Sequence, residues 1–224
     1  GLGMSMIIGV MRIVNSAHGD LMVFAAFVNY WTFTILGLDP FITLLLSIPI
    51  LFLLGVVIQG LIVAPTIRLA ENQMTASMVV TFSLALLISQ TEFIVWTPTY
   101  RVITTDYSSW ILFLGGMNLN AVRVATLFSA ILVAVMLHLI LTKTMFGKSM
   151  RACKDERDAA MMMGVNFGRV ALKTFGLSSA LAAIAGLFFI MTHTLNPGLG
   201  INFTVKAFVV LIIGGMGSVV GPLV

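Results

Sequence analysis

Charge is what this sequence lacks most. Only 9% of its 224 residues are Asp, Glu, Lys or Arg, against 59% hydrophobic ones, where a soluble domain carries about 25% charged residues. With a mean hydropathy of +1.10, the chain holds too few polar groups to cover a surface facing water. A bilayer is the solvent that this composition suits. Cysteine is nearly missing too, and the single one, Cys153, excludes an internal disulfide framework. No paired carboxylates, HExxH helix or Cys/His cluster is present, so neither a catalytic constellation nor a metal site is expected. Gly147-Lys148-Ser149 has the ending of a phosphate-binding loop, but the glycine required five positions earlier is Thr142. Gly215-Met-Gly217 lies in an apolar run without the strand–helix context of a dinucleotide site. The net charge of +4 is read as the loop arginines and lysines of a membrane protein rather than as a nucleic-acid surface. The chain has no basic leader with a cleavage site. It opens in one apolar stretch and stops in another, and both ends of a longer protein are expected to lie beyond it.

Long apolar runs are what the sequence does have. A helix needs roughly 20 apolar residues to cross the hydrocarbon. Residues 2–14 read as the end of one span, and 21–38, 41–63, 74–96, 121–141 and 170–192 as full ones, with a further span opening at 207. Pro65 is expected to end the third, because the residue before a proline is turned away from helix. The runs are continuously apolar instead of alternating, which predicts helices and not a barrel. The fold class is therefore all-α, a polytopic transmembrane bundle of at least six or seven segments forming a single domain over 1–224. The mixed-polarity stretch 97–120 is expected to carry a short surface helix.

The loops predict orientation. Connectors 12–20, 64–73 and 142–169 share a side if every segment crosses once, and they hold eight basic residues: Arg12, Arg68, Lys143, Lys148, Arg151, Lys154, Arg157 and Arg169. The opposite connectors, 37–40, 97–120 and 193–206, hold only Arg101 and Lys206. By the positive-inside rule, 142–169 faces the cytoplasm. Trp96, Tyr100, Tyr107 and Trp110 then fall at the outer interface. Glu92 and Arg123, near that interface, are close enough in the pattern to pair or to anchor there.

Loop 142–169 is the most informative. Around Arg151 to Asn166 it reads as a short helix too polar to cross, with Asp158, Ala159, Ala160 and three methionines, ended by Gly164 and Asn166. Methionine surfaces repack readily against a partner's groove. A solvated connector is the plainer alternative. Asp158-Ala159-Ala160, three residues, then Gly164 resembles the EAA loop of ABC importer permeases, with Asp in place of Glu and without the closing proline of the longer consensus. Gly9-Val-Met-Arg12-Ile-Val-Asn15-Ser-Ala-His18-Gly19-Asp20 is similar to the opening signature of LivH-type branched-chain amino acid permeases. Lys206-Ala-Phe, then Gly214-Gly215-Met-Gly217-Ser218 and Gly221-Pro222, resembles their later glycine-rich segment. The likeness runs along essentially the whole chain. It implies that 142–169 couples to an ATPase through Arg151, Asp158, Ala159, Ala160, Gly164 and Asn166.

The first and last signatures also stand on physical grounds. Polar groups at Asn15, His18, Gly19 and Asp20 break one apolar stretch, and Gly214, Gly215 and Gly217 interrupt another. Paired breaks of this kind point to a transporter's binding region. Two readings stand for the glycines, lining the translocation path or letting helices approach closely. For Asn15, His18 and Asp20 the alternative is a plain interfacial loop. Free N–H groups after Gly19 or Gly217 would suit a substrate carboxylate. Ile7–Met11 and Ile212–Met216 look alike, a hint of an internal repeat.

The resemblance implies a permease subunit with no catalytic residue and no cofactor of its own, ATP and Mg being used by partner ATPases. It further implies a second permease subunit, two cytoplasmic ATPase subunits, an extracytoplasmic solute-binding protein and surrounding membrane lipid. The substrate class it implies is branched-chain or other hydrophobic amino acids, with urea or short amides as relatives. The rival class, an autonomous ion-coupled carrier or channel, would need charge at mid-span, for which Glu92 is the one candidate.

Overall fold

A computed structural model describes residues 1–105, 110–114 and 117–215; Tyr107 and Gly217 lie outside them. Among the described residues, five helices are long and apolar enough to cross a membrane. In chain order they are α2 (His18–Leu36), the run from α3 (Pro40–Ile58) through α4 (Ala64–Leu69), α5 (Gln73–Trp96), α6 (Ala121–Lys143) and α9 (Phe167–Thr192). Two shorter apolar helices, α1 (Leu2–Met11) and α10 (Gly200–Ile213), complete the bundle. The protein is a multi-pass membrane protein, and its described residues are helical apart from loops and one short antiparallel strand pair.

Polar residues placed at the turns set the helix starts. Asp39 accepts from the Phe41 N–H at 2.9 Å, with Pro40 in the first turn of α3, where a proline costs no hydrogen bond. Asn72, Asn120 and Asn166 cap α5, α6 and α9 in the same way, accepting from Thr75, Val122 and Arg169 N–H groups.

Pro65 does not end its helix. The backbone widens into a π-helical turn over Gln59–Val63 and continues as α4. Proline lacks an N–H and crowds the carbonyl one turn before it; the wider turn immediately upstream makes room, and the Ala64 N–H bonds the Gln59 carbonyl instead. The expected surface helix in 97–120 is also corrected. Ile111–Leu114 pairs antiparallel with Met117–Asn120. The run Ile-Leu-Phe-Leu suits a strand, and in sequence it is followed by Gly-Gly, a hairpin dipeptide. The last span begins earlier than expected, at Gly200, so Lys206 is helical rather than part of a connector.

Helix α9 is the central post. Its small face, including Gly176, Ser179, Ala183 and Gly186, is buried against α1, α2 and α3. A methyl added at Gly176 would lie 2.8 Å from Val56 Cγ2 and 3.0 Å from the Phe52 carbonyl oxygen, so α3 and α9 touch at backbone distance. Small residues permit that approach, and van der Waals packing is what joins helices in lipid. At one end of the bundle, Arg101 lies 5.1 Å from both the Tyr30 and Trp31 ring centroids. Its backbone pairs with Leu195 there, and Trp96 stacks on Phe27 with centroids 4.7 Å apart. At the other end, Arg12, Arg68 and Arg157 gather around two adjoining cavities. That end is called the basic end below.

Candidate functional site

The polar break between α1 and α2 builds the centre of the molecule. Helix α1 stops at Arg12, whose φ of +53° is left-handed. The chain then runs back into the bundle beside α5. Val14 donates its N–H to Ser77 Oγ at 3.2 Å and Ser16 its N–H to Thr81 Oγ1 at 3.0 Å. The one Thr81 hydroxyl proton is shared between the Val14 carbonyl at 3.1 Å and the Ser77 carbonyl at 2.7 Å. Two hydroxyls one turn apart on α5 thus replace the water that an unwound backbone needs at membrane depth. Thr81 stands eight residues into α5, roughly 12 Å along its axis from Gln73. Asn15 Oδ1 accepts from the Ala17 N–H at 3.1 Å and turns the chain into α2.

Where α2 starts, α10 starts too. Thr204 Oγ1 of α10 accepts from the Gly19 N–H at 3.0 Å and donates to the Ser16 carbonyl at 3.1 Å. A methyl at Gly19 would overlap the Gly200 carbonyl oxygen and fall 2.6 Å from the Thr204 nitrogen. One at Gly200 would run into the Asp20 carboxyl group. Asn15 is 0%, His18 8% and Asp20 4% exposed, so all three are buried among the helices. Gly19 combines the two readings offered for it, touching α10 at backbone distance and bordering a cavity. Its N–H is already taken by Thr204.

That cavity, about 560 Å³, lies between the α1–α2 start, α6, α9 and α10. His18 and Gly19 line it with Thr126 and Ser129 of α6, Phe188 of α9 and Lys206 of α10. The lining is mainly aliphatic and aromatic. The hydroxyls of Thr126 and Ser129 spend their protons on the Val122 and Thr126 carbonyls, leaving lone pairs as acceptors. Lys206 supplies one ammonium group, 5.8 Å from the Phe203 ring centroid. The chemistry of this lining suits a small, mainly apolar molecule that carries a few polar groups. Asn15 and Asp20 are buried beside it and do not line it; Gly214 and Gly215 stand apart, at the far end of α10. Gly215 has a φ of +85° with open space around it, so it ends a helix instead of packing one. Glu92 is 0% exposed and neither carboxylate oxygen has a hydrogen-bond partner; the pairing with Arg123 is not formed.

The polar loop between α6 and α9 is two helices and not one. Helix α7 (Met145–Asp155) and α8 (Arg157–Met162) meet at Glu156. Arg151, on α7, donates to the Leu141 carbonyl at the end of α6. Cys153, Met150 and Ala160 turn inward to the same apolar cluster as Val10 and Met11. Asp158 and Ala159 face out, with Met162 and Met163 at 87% and 86% exposure. Gly164, at φ +89°, closes α8: its N–H bonds the Met161 carbonyl and the Val165 N–H bonds the Ala160 carbonyl, both at 3.0 Å. These are the two bonds of a Schellman motif, which needs the left-handed conformation glycine adopts freely. Asn166 follows as the cap of α9.

Thr204, Gly200, Ser77 and Thr81 were not singled out by sequence reading. Each is a small or hydroxyl residue in an apolar run, where a helix neighbour and a backbone partner look alike.

Residues 1–224 match the family described as branched-chain amino acid transport system / permease component. The chain is 24% identical to the high-affinity branched-chain amino acid transport system permease protein BraD of Pseudomonas aeruginosa, over 99% of this chain and 76% of that one. It is 26% identical to the corresponding LivH protein of Salmonella typhimurium, over 100% and 76%. To the probable LivH of Methanocaldococcus jannaschii it is 24% identical, over 100% and 71%. No solved structure matches.

Proposed function

The chain belongs to the family of branched-chain amino acid transport system permease components, and from that premise we propose that it is one permease subunit of an ATP-driven importer. Its own contribution is the path; a second permease, identical or homologous, completes it. Two ATPase subunits grip α8 from the cytoplasm, and a soluble binding protein delivers solute at the opposite face of the bacterial inner membrane. The substrate is a branched-chain or similarly hydrophobic amino acid, and no residue of this chain does chemistry on it.

One observation carries the reading. Helix α8 hangs between α6 and α9, and those two helices are facing walls of the His18 cavity. A push or pull on α8 therefore reaches α9 through residues 163–166 and α6 through helix α7, which is what alternating access demands of a coupling element. The exposed Asp158-Ala159 surface and the soft Met162-Met163 tip suit a groove on a partner, and the inward Ala160, Cys153 and Met150 root the element in the bundle. Arg151 and Asn166 hold its two ends. The mainly apolar cavity fits a solute with an aliphatic side chain.

The test is co-expression of the chain with candidate ATPase and second permease subunits of the same organism. The intact protein should bring down ATPase subunits, and Asp158→Lys combined with Gly164→Val should release them while leaving the chain in the membrane. If the double variant retains ATPase and binding-protein-dependent uptake, α8 is not the handle.

A further inference from the structure

At the basic end, apart from the His18 cavity, a second cavity of about 500 Å³ opens between α3–α4, α8 and the start of α9. Much of its wall is apolar, from Ile13, Pro65, Ala171 and Leu172 among others. Gln59 also lines it, 3% exposed, with an Oε1 that has no hydrogen-bond partner. Buried amide oxygens are nearly always matched, so this one asks for a donor that the protein does not supply. Gln59 opens the π-helical turn, and such turns collect at functional sites.

Two guanidinium groups, Arg68 and Arg157, border the same space. Arg157 is held flat against the Phe167 ring, 3.8 Å from its centroid, and its buried Nε has no partner. Among the described residues no carboxylate lines the cavity. The space therefore offers two cations in fork geometry, an unmatched acceptor and an aliphatic wall. A free α-amino acid with an aliphatic side chain presents the complement of each: a carboxylate for the guanidiniums, an ammonium for Gln59 Oε1, and a hydrocarbon group for Ile13 and Leu172.

We propose that this cavity is a second, regulatory binding site for such an amino acid, distinct from the path and open to the compartment into which solute is released. The proposal rests on the permease reading for that orientation. Arg157 and Met161 belong to α8, whereas Gln59 and Arg68 belong to the continuous α3–α4 helix. A ligand joining them ties the coupling helix to the bundle, so occupancy slows transport when the delivered amino acid accumulates.

The experiment uses the whole importer in liposomes loaded with L-leucine, with L-leucinamide (which lacks the carboxylate), or with buffer, and reads initial leucine uptake. Internal leucine should slow uptake and leucinamide should not. Gln59→Leu and, separately, Gly60→Leu should raise the inhibitory leucine concentration about tenfold or more, with uptake into buffer-loaded vesicles unchanged. Gly60 serves as the second variant because a Cβ there meets only the Leu172 side-chain tip, at 3.2 Å. Uptake that internal leucine does not slow, or slows in both variants at the same concentration as in the parent, overturns the site. So does inhibition that follows the phosphatidylglycerol content of the vesicles and not internal leucine, which would make a lipid headgroup the occupant. Absence of any leucine uptake into buffer-loaded vesicles would instead sink the permease reading itself.

Discussion

Replacing Thr204 by Val tests the junction of α2 and α10 directly. Valine keeps the shape of threonine, so the change removes one hydroxyl and little else. That hydroxyl serves two buried backbone groups, the Gly19 N–H at 3.0 Å and the Ser16 carbonyl at 3.1 Å, and Thr204 is only 6% exposed. A buried polar group left without a partner costs about 1–3 kcal/mol. Side-chain bonds between membrane helices average nearer 0.6 kcal/mol, because the separated helices find other partners in lipid. The Ser16–Gly19 backbone has no helical alternative, so the larger figure applies, taken at its low end: about 2 kcal/mol for the two groups together. For a chain of this size that is a fall of roughly 4–8 °C in midpoint, read by thermal unfolding in detergent or nanodiscs. Thr204→Ser, which keeps the hydroxyl, should stay within about a quarter of that shift. If Val and Ser variants melt together with the parent and transport equally well, the hydroxyl does not hold the break, and the account of the site is wrong.

Two further outcomes follow from packing and burial. Gly19→Ala forces a methyl into the Gly200 carbonyl and should cost about 1–3 kcal/mol as overpacking does; uptake should fall with stability, and a variant that is as stable and active as the parent would show that α2 and α10 do not touch there. Cys153 is 2% exposed, and burial raises its thiol above the usual range despite the opposing pull of Arg157. Little thiolate is then present at neutral pH, so maleimide should label the folded protein far more slowly than the protein in SDS, with equal rates counting against the inward placement of α7.

Much of the bundle was legible because apolar run length and capping residues act locally. Asn166, expected in the turn that ends the loop helix, is the residue that caps the start of α9. The start of α10 was hidden, since Asn202, Thr204 and Lys206 dilute the apolar signal there, Thr204 meeting the break and Lys206 the cavity. Pro65 misled for a related reason: the rule for the preceding residue assumes an ordinary α turn, and a π turn at Gln59–Val63 stands immediately upstream. The site was half visible. Asn15, His18 and Asp20 stand out as polar groups in an apolar run, whereas Ser77, Thr81 and Thr204, which bond the backbone of Val14, Ser16 and Gly19, are hydroxyls that any membrane helix tolerates by bonding its own backbone. Only the folded arrangement tells which hydroxyl also serves another segment.

The unwound stretch from Ile13 to Ala17 has a consequence for biosynthesis. The groups that satisfy it come later from the ribosome: Ser77 and Thr81 lie 63 and 65 residues downstream of their partners, and Thr204 lies 185 and 188 downstream of its own. Until those residues emerge, bare peptide groups cannot settle into hydrocarbon. The break between α1 and α2 must therefore stay in the wet insertion channel or at the headgroups until α5 and α10 have been made, and it settles after helices that leave the ribosome much later than it does.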